Sequence, residues 1–291
     1  MKLTIITLFL ALSIALNAQK TVFNFRTFSS FNEIKATAQK ENKNIFIYLH
    51  FAGCGWCRVL ENKTLQDSDV ISYFDDTFVN VSLDFLKDSI GINLKDKFDI
   101  GTAPSYLFFT PDGSLTHIGG GYLVKEAFID LAQLAMDPET NYSFYAEKIK
   151  NGNLSPETVL KYITFKGPDK GVESLFNKMI YEYQQKPEIL YSKTTLDIIA
   201  HLSMGKTNNP FYKFFDENYE NFQKHSGNEA TKNLYKYTWE FQINRNWFIL
   251  WIPEKSRNKA KKLLAKQKHG MFQEICMFSD FKKALVFSEK R

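Results

Sequence analysis

Asn44-Ile45-Phe46-Ile47-Tyr48-Leu49-His50-Phe51 runs straight into Ala52-Gly53-Cys54-Gly55-Trp56-Cys57, and that junction decides how the chain is read. The first eight residues are nearly all apolar or aromatic and too few for most helices, so they read as a strand buried on both faces. From Gly55 to Asn62 the spacing turns helical, with Trp56, Val59 and Leu60 on one face. A thiol reacts as its thiolate, and a free cysteine near pKa ~8.5 is mostly protonated at neutral pH, so a reactive one needs help. A thiolate on Cys54 would sit at the positive end of that helix, within reach of its unpaired backbone amides. Cys57 is one turn on and less exposed. The pattern gives attack to Cys54 and resolution of a mixed disulfide to Cys57.

Working upstream, Thr21 to Phe25 is a short β-favouring run. Ser30-Phe31-Asn32-Glu33 reads as a capping box opening a helix to about Glu41, with Ser30 accepting from the Glu33 backbone while Glu33 reaches back. Downstream, Asp67 to Phe74 offers a second short helix behind Asp or Ser caps, and Phe78 to Phe85 alternates apolar and polar residues as a strand does. A helical turn around Ile92 to Phe98 leads to Gly101-Thr102-Ala103-Pro104-Ser105 and the strand Tyr106-Leu107-Phe108-Phe109. Pro111-Asp112-Gly113 is a turn signal before Ser114 to Ile118, which predicts an antiparallel hairpin. After Gly119-Gly120-Gly121, Val124 to Met136 returns to helical spacing. The order β-α-β-α-β-α-β-β-α describes a mixed sheet with helices on both faces.

The 291 residues, 44% hydrophobic and 15% aromatic, suffice for a sizeable core and for one or two domains. Charge is uneven: 12 basic residues oppose 15 acidic ones up to Asp137, and 25 oppose 17 beyond it, so the second half carries the basic excess. Met1-Lys2, an apolar run from Leu3 to Leu16 and Asn17-Ala18-Gln19 have the pattern of a secretory signal peptide, with cleavage expected near Ala18. Its apolar run is short of the ~20 residues a spanning helix needs, so a mature chain outside the cytoplasm with no integral membrane segment is expected. Three cysteines are too few for a disulfide-stapled scaffold, and an odd number leaves one unpaired. A CxxC bridge closes so short a loop that it restrains the unfolded chain little, which favours a reactive pair over a structural one.

Beyond Asp137 strand-like runs largely vanish. Helix starts appear at Pro138, at Ser155-Pro156-Glu157 and near Pro187, where proline sits at a tolerated first helical position. No fixed repeat period is evident. Phe211, Tyr212, Phe214, Phe215, Tyr219 and Phe222 recur at helical spacing as core positions. Lys255 through Lys268 holds seven basic residues with Ala260, Leu263 and Leu264 interleaved, and reads as a solvated helix face. The base-reading aromatics and groove motifs of a nucleic-acid binder are absent. Cys276 reads as a buried helical cysteine.

About residues 26 to 136 resemble the thioredoxin superfamily, and within it secreted domains similar to the carboxy-terminal domain of the bacterial transmembrane thiol:disulfide reductase. The resemblance rests on Phe51 through Glu61, on Gly101-Thr102-Ala103-Pro104, on Phe108 through Gly113 and on Gly120-Gly121-Tyr122, in the family's order and spacing. It implies an α/β thioredoxin fold, a mixed central sheet with helices on both faces, and a cis peptide bond before Pro104. It also implies that the backbone at Ala103 pairs with an extended substrate, and that the Gly55-Trp56 pair between the cysteines faces that substrate. The chain departs from the family in two places. Gly53 stands where a tryptophan is usual, and Tyr48 stands where thioredoxins bury an acid. A tyrosine of reference pKa ~10 is a poor proton acceptor at neutral pH, so proton transfer to Cys57 needs water, Glu61 or His50.

The expected organisation is a signal peptide over residues 1–18, a thioredoxin-like domain over 19–137 and an all-α domain over 138–291. The expected function is that of a periplasmic or secreted thiol-disulfide oxidoreductase acting on protein disulfides. Its partners would be protein thiol or disulfide clients and a redox partner protein that supplies electrons, with no bound cofactor and no nucleic acid. His50, Cys54 and Cys57 are of types that zinc favours, but no fourth ligand is apparent and a proline beside the thiols would obstruct a metal. The alternative from another class is an interaction protein that keeps the thioredoxin fold as a scaffold and binds through its helical half.

Overall fold

A computed structural model describes residues 22–167, 171–203, 208–235 and 238. The signal-like segment, the basic stretch from Lys255 to Lys268 and Cys276 lie outside the described residues. The chain divides into two compact units between Asn151 and Gly152.

The first unit begins with α1 (Phe31–Glu41), β1 (Asn44–His50), α2 (Gly55–Asn62), α3 (Ser68–Thr77) and β2 (Phe78–Asp84). It continues with α4 (Ser89–Phe98), β3 (Ser105–Phe109), β4 (Leu115–Gly120), α5 (Lys125–Met136) and α6 (Tyr142–Lys150). The strands form one sheet in the order β2-β1-β3-β4. β1 runs parallel to β2, with Ile45 opposite Val79, and antiparallel to β3, with Ile45 opposite Phe109. β3 and β4 form the expected hairpin, with Leu107 opposite Ile118. Being interior to the sheet, β1 is buried at Ile45 through Leu49. Alternation along it sends Ile45, Ile47 and Leu49 to one face and Phe46 and Tyr48 to the other.

Those two faces carry different cores. Ile45, Ile47 and Leu49 join Val79, Val81, Leu107 and Phe109 beneath Ile34 and Ala38 of α1 and Leu94 of α4. Phe46 and Tyr48 join Tyr106, Phe108, Leu60 of α2, Phe74 of α3 and Phe128 of α5. The second cluster is built of rings: Phe74 and Phe128 stack at 4.7 Å between centroids, and Phe46 meets Phe74 edge-on at 4.8 Å. Both cysteines belong to this aromatic cluster. A mixed sheet sandwiched by helices and followed by helices is the fold class the sequence implies.

Two local expectations are corrected. The β-favouring run ending at Phe25 adds no strand to the sheet; the contact there is a single parallel bridge between Arg26 and Val81. Phe23 and Phe25 instead turn inward, Phe23 lying 5.5 Å from Phe74 and Phe25 stacking 5.8 Å from Tyr48, so ring burial takes the place of ladder pairing. The capping box is offset by one residue. Ser30 accepts the Glu33 N–H, but the Glu33 carboxylate accepts from the backbone and hydroxyl of Ser29. β2 is the strand that its alternation predicts; within it the polar position Asn80 is buried, and its side chain donates to Asp75 at 3.0 Å.

The second unit contains α7 (Pro156–Lys166), α8 (Val172–Tyr183), α9 (Pro187–Leu190), α10 (Lys193–Ser203), α11 (Pro210–Glu217) and α12 (Tyr219–Ser226). Ser155 caps α7 ahead of Pro156, as its sequence predicts. Phe211, Tyr212, Phe215, Tyr219 and Phe222 are buried in its core. Among the described residues this unit has no strand. No helix of the described residues is long and apolar enough to cross a membrane.

Candidate functional site

β1 ends at His50, and residues 51–53 turn the chain into α2. Two hydrogen bonds shape that turn: Cys54 N–H donates to the Phe51 carbonyl at 3.2 Å, and Ala52 N–H donates to the Asp84 carboxylate at 3.2 Å. Asp84 lies directly across from His50 at the end of β2 and also accepts the Leu86 N–H at 2.9 Å. The Leu86 amide first, and that of Ala52 with it, hold the Asp84 carboxyl below its ordinary pKa. Gly53 has φ +91°, a left-handed conformation that a side chain rarely adopts. The departure from the family at this position therefore has a backbone reason.

Cys54 is the N-cap of α2, and its sulfur accepts the Cys57 N–H at 3.1 Å. The two cysteines are joined as a disulfide, with their Cα atoms 5.3 Å apart. Both are buried, Cys54 at 6% exposure and Cys57 at 2%, so any reagent must reach Cys54 through a small window. Trp56 is exposed, as the resemblance implies, although its helical spacing puts it on the face of Leu60. Leu60 is buried, whereas Trp56 is 63% exposed. Its indole is stacked on Tyr122, with centroids 5.9 Å apart and planes at 25°.

In the cluster that holds both cysteines, the Tyr48 hydroxyl donates to Glu61 at 2.9 Å, and the Tyr48 ring stacks on His50 at 5.1 Å. Burial, and then the hydrogen bond and charge of Glu61, push the Tyr48 hydroxyl well above the usual tyrosine range, which removes it as a base. Glu61 lies one helical turn beyond Cys57 and therefore on its side of α2. The Ala103–Pro104 bond is cis, and Ala103 packs against the cluster that holds both cysteines. The Pro104 carbonyl accepts the Gly121 N–H at 2.8 Å, while the Tyr106 hydroxyl donates to the Gly121 carbonyl at 2.6 Å. A Cβ at Gly120 would stand 3.1 Å from the Pro104 carbonyl oxygen, so glycine permits this close approach of β4 to the proline turn.

The fold thus gathers Cys54, Gly55, Trp56 and Cys57 on the first turn of α2, with Ala103 against the same cluster. Two participants were not legible beforehand. Tyr122 was visible only as part of a glycine-rich motif, and Asp84 only as a polar position near the end of a strand. Both act across the fold, and no local spacing reports such a contact.

Residues 26–111 match the family model described as thioredoxin-like. Among solved structures, a candidate disulphide-isomerase from Bacteroides thetaiotaomicron is 28% identical over 41% of this chain and 98% of its own, with a TM-score of 0.38. A thioredoxin from Thermus thermophilus is 19% identical over 40% of this chain and 90% of its own, with a TM-score of 0.35. The oxidised carboxy-terminal domain of DsbD from Neisseria meningitidis is 15% identical over 35% of this chain and 89% of its own, with a TM-score of 0.31. No curated protein matches the chain. The helical half has no counterpart in the matched family model, which ends at residue 111.

Proposed function

Residues 26–111 being a thioredoxin-like domain, we propose that the protein is a thiol-disulfide oxidoreductase that acts on protein disulfides outside the cytoplasm. The observation that carries this is the Cys54–Cys57 disulfide at the start of α2, with Cys54 as the capping residue. In the reduced protein, the amide that now donates to Cys54 would donate to its thiolate, and the helix dipole would favour the charge.

In the reducing direction, the Cys54 thiolate attacks one sulfur of a client disulfide. A mixed disulfide forms, and the other client sulfur leaves as a thiolate and takes a proton. Cys57 then loses its proton and attacks the Cys54 sulfur, closing the bridge seen here and releasing the second client thiol. Two electrons pass from the protein dithiol to the client, and a reduced partner protein restores the dithiol. The oxidising direction reverses each step. Tyr48 being unable to take the Cys57 proton, we assign that role to Glu61, which Tyr48 holds in place. Ala103 offers backbone to the client as it docks beside Pro104. The signal-like segment supports a periplasmic or secreted location.

The reading is tested by Cys57→Ser in the otherwise intact chain. Resolution is then blocked, and mixed disulfides between Cys54 and clients should accumulate and be visible by non-reducing electrophoresis. Failure of the native protein to reduce any disulfide, together with Cys54 alkylation no faster than that of an exposed model thiol, would overturn it.

A further inference from the structure

We propose that Trp56 and Tyr122 form a rigid aromatic shelf that selects client disulfides whose attacked cysteine is flanked by an aromatic or bulky aliphatic residue in an extended segment. The inference rests on the redox reading above and names the client class for the same site.

Cys54 is 6% exposed, so a client sulfur must come into close contact, and the residues flanking it must land on the immediate surroundings. An extended chain advances ~3.3–3.6 Å per residue, so the first flanking side chain falls within reach of the next feature of the surface. That feature is Trp56, two residues from Cys54 in sequence and 63% exposed. Its stacking on Tyr122 holds the indole against a second ring. The loop that carries Tyr122 is tied down on both sides. Gly121 is bonded through its N–H to Pro104 and through its carbonyl to Tyr106, and the Leu123 carbonyl accepts the Thr64 hydroxyl at 2.6 Å. Aromatic rings with two side-chain torsions, already ordered by their neighbours, give large contact area at little further entropic cost. A flanking ring can add to the stack in offset or edge-on geometry, whereas an acidic or small polar flank would cover the indole without compensation.

The test uses the reduced full-length protein with dithiothreitol as regenerating reductant. Its substrates are two peptides of equal length and net charge, each with one disulfide, flanked by Phe in one and by Ser in the other. Bis(2-hydroxyethyl) disulfide, which has no flanks, reports thiol exchange alone. The wild type should favour the Phe peptide by roughly three- to tenfold in kcat/KM, the range expected of one aromatic pair. Trp56→Ala and Tyr122→Ala should each bring that ratio toward one, and Trp56→Phe should retain most of it. A wild-type ratio near one, with the small disulfide still turned over, overturns the shelf and leaves the redox reading standing. A ratio that survives both alanine variants overturns it as well. If the wild type fails on all three substrates, the redox reading itself falls and takes the shelf with it.

Discussion

Gly53 and Glu61 show how single residues set up the site. At φ +91° with nothing within 4 Å of a built Cβ, Gly53 is held by conformation and not by space. Gly53→Ala should therefore cost about 1–3 kcal/mol through backbone strain alone, read as a lower midpoint in urea unfolding at an unchanged slope. From the sequence, Gly53 was only a missing tryptophan, since φ at a turn depends on where the chain must go next. Glu61 could be named as one of three proton routes but not preferred, because the bond from Tyr48 joins a strand to a helix. Glu61→Gln keeps the shape and removes the base. Resolution by Cys57 should slow by about 100-fold near neutral pH, in the range expected for one general base, and mixed disulfide should build up in rapid-quench samples. A variant whose resolution rate and pH profile match the wild type would return the role to water or His50.

At the scale of elements, what could be read was whatever the local pattern alone enforces. β1 was plain because an interior strand buried on both faces must be apolar at every position, and its register then follows from the rings and branched residues on either side. The run ending at Phe25 has the same composition as a strand, yet Phe23 and Phe25 are consumed by the aromatic cluster, and composition does not distinguish ladder pairing from ring burial. The cluster itself makes a quantitative expectation. Phe46 touches Phe74, Phe108 and Phe128 with centroids 4.8, 5.2 and 5.9 Å away, and it is fully buried. Phe46→Ala should destabilise the first unit by about 3–5 kcal/mol, measured by denaturant unfolding, because transfer and cavity costs add where three rings cannot all collapse inward. The cysteines share this cluster, so the same variant should also loosen the disulfide's surroundings and raise Cys54 alkylation in the reduced protein.

At the scale of the whole molecule, the change of composition at Asp137 and the division between Asn151 and Gly152 enclose a segment whose role is testable. Helix α6 lies within it, and it is bonded to β4: Tyr142 N–H donates to His117 Nδ1 at 3.1 Å, and the Ser143 hydroxyl donates to the Leu115 carbonyl. His117 is fully buried, and burial lowers its pKa to about 4. The folded protein therefore stays unprotonated at His117 where the unfolded chain, titrating near 6.5, takes up a proton. The stability that His117 contributes by staying neutral is complete above about pH 6.5 and is lost as pH falls toward 4, with a total on the order of 3 kcal/mol. A fragment of residues 22–151 should show this loss in urea unfolding between pH 7 and pH 4. A fragment of residues 22–137 lacks the Tyr142 donor and the segment that brings it. It should be less stable at pH 7, its His117 should titrate closer to 6.5 by NMR, and the acid-dependent part of its instability should shrink. Equal stability and an equal His117 titration in the two fragments would show that α6 is dispensable to the sheet, and would place the end of the redox unit at Asp137.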